Sequence, residues 1–64
     1  MNNEPITISV ELTNSQALAL AQFLKRVTFD DFRRRALNED DAYEMQSAAK
    51  QVREALVQVG YEPR

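Results

Sequence analysis

Ile6, Ile8, Val10 and Leu12 alternate with Thr7, Ser9 and Glu11 without a break, and a period of two marks an extended segment with one apolar face. The spacing predicts a strand over residues 6–12. Four of its seven residues are β-branched, so propensity agrees with the period. At Thr13 the pattern changes. Thr13 with Gln16 three residues later forms a capping box, with Leu12 placed to staple against Ala17. Beyond that start Ala17, Leu20, Phe23, Leu24 and Val27 recur at steps of three and four, which makes one core-facing helical stripe. Leu18 falls on the opposite side.

Thr28 with Asp31 repeats the cap pattern, so a helical segment opens at Phe29, turns Phe32 and Ala36 inward and ends near Leu37. Residues 28–37 fit either a separate helix or a kinked continuation of the first. Asn38, followed by Glu39, Asp40 and Asp41, starts a further helix, because an Asn cap and acidic residues both suit the positive end of a helix dipole. This helix holds Ala42, Met45, Ala49, Val52, Leu56 and Val59 in three-then-four spacing, the seam of a helix packed on helices. Gly60, with Tyr61 able to fold back on Leu56 and Pro63 just beyond, predicts a Schellman ending. The expected fold is α+β and mainly helical: one N-terminal strand, then two long helices with a short helical segment between them (β-α-α-α), in a single domain over residues 1–64.

A strand needs a ladder partner for its backbone donors and acceptors, and no other segment of this chain alternates. The partner is then expected to be the same strand of a second copy, giving a homodimer with Ile6, Ile8, Val10 and Leu12 over the helices, or an edge strand of another protein. The bland alternative is a strand lying alone along the helices with hydrated edges. Size favours association. A 64-residue chain hides only about 60% of its unfolded surface. With no cysteine or histidine, neither a disulfide nor a thiolate or imidazole metal site can staple it.

Chemistry is sparse. Without His or Cys the candidates for catalysis are Ser, Tyr, Lys and carboxylates, and none is usefully arranged. Asp30–Asp31 and Glu39–Asp41 with Glu44 sit at helix starts, where the dipole alone accounts for them, and they lack the glycine turn of a calcium loop. No catalytic, cofactor or metal residue is assigned, and no cofactor is expected. Ten acidic against eight basic residues give a net charge of −2, which disfavours nucleic acid as a partner. Even so, Lys25, Arg26, Arg33, Arg34 and Arg35 gather most of the positive charge within eleven residues. They form either a patch for an acidic surface or a solvated face paired with nearby carboxylates. Leu18, Tyr43 and Tyr61 join them as contact candidates, Leu18 for leaving its stripe and the tyrosines for their polar tips. No leader or membrane span is read at the start of the chain, so a cytoplasmic location is expected.

The run from Leu12 through Val27, with Asp41-Ala42-Tyr43 and the ending Gly60-Tyr61-Glu62-Pro63-Arg64, resembles a family of uncharacterised short proteins encoded by proteobacterial plasmids, integrative elements and prophages. That resemblance implies a mobile-element setting, in which small proteins often inhibit host defence or regulate the element's genes. The order of elements is also similar to that of ribbon-helix-helix repressors, whose strands pair in a dimer. The exposed strand positions Thr7, Ser9 and Glu11 depart from base-reading residues, and Glu11 would repel phosphates. The expected function is therefore a non-enzymatic protein-binding module, an inhibitor of a host defence complex in the manner of an anti-CRISPR protein. The alternative is a ribbon-type dimeric transcription regulator or antitoxin.

Overall fold

A computed structural model describes residues 4–62 and contains three helices: α1 (Asn14–Arg26), α2 (Phe29–Arg35) and α3 (Glu39–Gln58). No β-strand occurs among the described residues, so the α+β, strand-paired expectation is corrected to an all-α fold. Residues 4–12 form an arm outside any regular element. Its apolar positions do not cover the helices: Ile6 is 84% exposed, Ile8 71%, Val10 73% and Leu12 43%. The physical reason is the missing ladder. A period of two presents one apolar face, but only a neighbouring extended backbone turns that face into a strand, and the described residues supply none.

Each helix begins at the cap the sequence marks. Thr13 accepts from the Gln16 N–H at 3.1 Å, and its own N–H donates to Gln16 Oε1 at 2.9 Å, closing the capping box of α1. The Asp31 carboxylate accepts from both the N–H and the hydroxyl of Thr28, at 2.8 and 3.1 Å. Val27 and Thr28 break the helix between them, which makes α2 a separate element. Asn38 Oδ1 accepts from the Asp41 N–H at 2.8 Å to start α3. At the far end Gly60 takes φ +101°. There the Tyr61 N–H donates to the Leu56 carbonyl at 2.9 Å and the Gly60 N–H to the Val57 carbonyl at 3.0 Å, the paired bonds of a Schellman ending.

Both α1 and α2 pack on α3, and their backbones do not pack on one another. Ala17 and Ala21 of α1 meet Leu56 of α3, with Leu20, Leu24 and Tyr61 half-buried against them, while Ala42 is wholly enclosed. Among the described residues, three of the four buried ones are alanines, so the helices meet while burying little apolar volume. The stripes are accordingly narrower than the spacing suggests. Phe32, Ala36, Met45 and Ala49 are half-buried, and Phe23, Val52 and Val59 face solvent. A radius of gyration of 12.8 Å, against about 10.7 Å for a compact chain of this length, reflects the projecting arm and the thin core.

Candidate interaction surface

Between α1 and α2, above Met45 of α3, lies a groove of about 620 Å³. Ala19, Phe23 and Val27 form its α1 wall, Phe32 stands on the α2 side, and Met45 of α3 belongs to the same lining. Gln22, Arg26, Asp31 and Arg35 add the polar part. Phe23 is 59% exposed. At 3.6 residues per turn, position 23 lies well round the helix from the buried line of Ala17 and Ala21, so its ring stands on the flank. Val27 and Phe32 also line a second, more polar depression of about 490 Å³ with Leu24, Gln46, Lys50 and Arg53. These two side chains thus stand between a pair of clefts that the chain leaves unfilled.

The basic cluster is divided by the fold. Lys25 and Arg26 close α1, while Arg33, Arg34 and Arg35 close α2, where positive charge suits the helix C-terminus. Arg34 reaches Asp31 Oδ1 at 2.7 Å and Asp30 at 3.9 Å, and Arg35 Nη1 donates to the Asp31 carbonyl at 3.3 Å. Thr28's backbone N–H, then its hydroxyl and the nearby Arg34 guanidinium, hold the Asp31 carboxyl below its ordinary value. Part of the patch therefore serves α2 itself, and Arg26 and Arg35 face the groove. Exposed pairs of this kind add little stability.

The remaining contact candidates separate. Leu18 is exposed on α1. Tyr43 is exposed but tilts against Phe29, ring centroids 4.7 Å apart. Tyr61 is engaged within the molecule: its ring packs on the α1–α3 core and its hydroxyl donates to Asn14 Oδ1. Sequence spacing turned Phe32 inward, where it is half-buried, but it also turned exposed Phe23 inward and so missed the groove. The signal in the sequence was the alanine content of the α1 stripe: Ala17 and Ala21 make its buried contact with Leu56. Among the described residues no cluster of three or more His, Cys, Asp or Glu is placed to hold a metal ion. No helix among them is long and apolar enough to cross a membrane.

The family described as "Family of unknown function (DUF7706)" matches residues 1–64. The chain belongs to that family. No curated protein and no solved structure matches it.

Proposed function

We propose that this DUF7706 chain is a non-catalytic protein-binding module whose contact surface is the apolar arm together with the α1–α2 groove. One observation carries this: a row of large apolar side chains, Ile6, Ile8 and Val10, stands in solvent beside a helical unit whose groove exposes Phe23. Apolar surface concentrated this way marks a contact with another macromolecule. The net charge of −2 and the salt bridges that hold Arg34 favour a protein over a nucleic acid.

The test is affinity capture with a tagged chain beside its Ile8→Glu and Phe23→Glu variants. A specific protein retained by the parent and lost by both variants is the expected result. Equal retention by all three, or no protein bound while a defined DNA sequence binds at physiological salt, would sink the proposal. The narrower expectation of a defence-complex inhibitor, carried by the mobile-element resemblance, is decided by the same capture: a subunit of such a complex must be what the variants lose. The ribbon-type regulator has no such support, since it needs a strand where the arm has none.

A further inference from the structure

We infer that the groove between α1 and α2 receives the arm of a second copy, so that two chains exchange arms; this rests on the arm and groove being a binding surface at all. Area is the first argument. The chain exposes 5810 Å², whereas a compact monomer of 7.4 kDa exposes about 4200 Å². The excess of about 1600 Å² per copy, polar and apolar together, is more than the roughly 800 Å² that one partner gives up in a standard interface, so the exposed surface suffices for a stable dimer. A core built on three alanines and one leucine is what an obligate protomer shows when its larger apolar side chains are buried only by its twin.

Spacing and charge are the second and third arguments. On an extended arm Ile6, Ile8, Val10 and Leu12 repeat about every 6.6 Å; on the groove wall Ala19, Phe23 and Val27 repeat about every 6 Å. The two rows can therefore interleave, with the arm lying as a single extended segment and no ladder between arms. The arm's ionisable side chains are Glu4 and Glu11, with no lysine or arginine before Lys25, whereas Arg26 and Arg35 border the groove beside a single carboxylate, Asp31. In the same chain the capping box fixes Thr13 at the arm's root, and no arm residue lines the groove.

Because the chain has no cysteine, introduced thiols report contacts without background. Ile8→Cys chains are mixed with Phe23→Cys chains under mild oxidation, with helicity checked by circular dichroism. Val10→Cys replaces Ile8→Cys if that variant fails to fold. The expected product is the mixed disulfide, in excess of either symmetric one, from a parent that sediments as a dimer at tens of micromolar. The charge change Glu11→Arg is expected to weaken the dimer about fivefold. Three results overturn the inference: a 7.4 kDa species at that concentration, an excess of the Ile8→Cys symmetric disulfide, or an internal bond in a monomeric Ile8→Cys/Phe23→Cys double variant. A monomer that still captures a foreign protein through its arm overturns the exchange and leaves the binding module standing. A monomer that captures nothing overturns both.

Discussion

Asp31 illustrates how much a single side chain does in a seven-residue helix. Its carboxylate accepts from the N–H and hydroxyl of Thr28 and holds Arg34, and these donors stabilise the charged form. A carboxyl depressed in the folded state contributes its stability in full above its unfolded value, and that contribution is lost as pH falls through the lower folded value. Carboxyl resonances followed by NMR are therefore expected to show Asp31 titrating below an aspartate in a disordered reference peptide. Protection of the α2 amides, measured relative to their intrinsic exchange at each pH, should fall in that acidic range. An Asp31 midpoint at or above the reference would show that the Thr28 bonds do not form in solution. Gly60 is the other single-residue case. A β-carbon added there meets nothing within 4 Å, so Gly60→Ala carries only the conformational cost of φ +101°. That cost is about 1–2 kcal/mol, read as a lower urea midpoint with an unchanged slope.

At the scale of elements, small residues govern how the helices meet. Ala21 is 1% exposed and belongs to the cluster built on Leu56; Ala21→Leu must push α1 off α3. The expected loss is about 1–3 kcal/mol by thermal or urea unfolding, whereas the same change at exposed Ala48 should be nearly neutral. Helix limits were legible in the sequence because caps are local. Thr13 with Gln16, Thr28 with Asp31, Asn38 with Asp41, and Gly60 followed by Tyr61 each settle their own boundary by bonds spanning a few residues. The arm was not legible, because alternation at Ile6–Leu12 describes a face and says nothing of what stands opposite. Phe32 is half-buried as its spacing predicted, whereas Phe23 was misplaced for a related reason: periodicity gives an angle around a helix axis, and the width of the buried sector depends on how closely the neighbouring helix approaches.

For the molecule as a whole, the described residues combine a thin core with several exposed large apolar side chains, so association is the property to test. If two copies complete each other, the melting temperature rises with protein concentration, because binding to the folded state adds to its stability. Scans from 5 to 500 µM, run at about 0.15 M salt so that surface charge is screened equally throughout, should shift upward for the parent and stay flat for an Ile8→Glu/Val10→Glu variant. A flat parent would mean that the helices stand alone. The candidate site was only half visible beforehand. Ile6, Ile8, Val10 and Leu12 were named as an apolar row, though as a strand, while the groove joins residues of α1, α2 and α3, a long-range property that no local pattern encodes.

The hydroxyl of Tyr61 rests on Asn14, so the finish of the last helix and the start of the first lie side by side although 47 positions separate these two residues. The helical unit is therefore nearly a closed circle, and its order of reading can be rotated. A short glycine-serine join from Tyr61 to Thr13, with a new opening beside exposed Leu37, should give a circular permutant that keeps all three helices and has no arm.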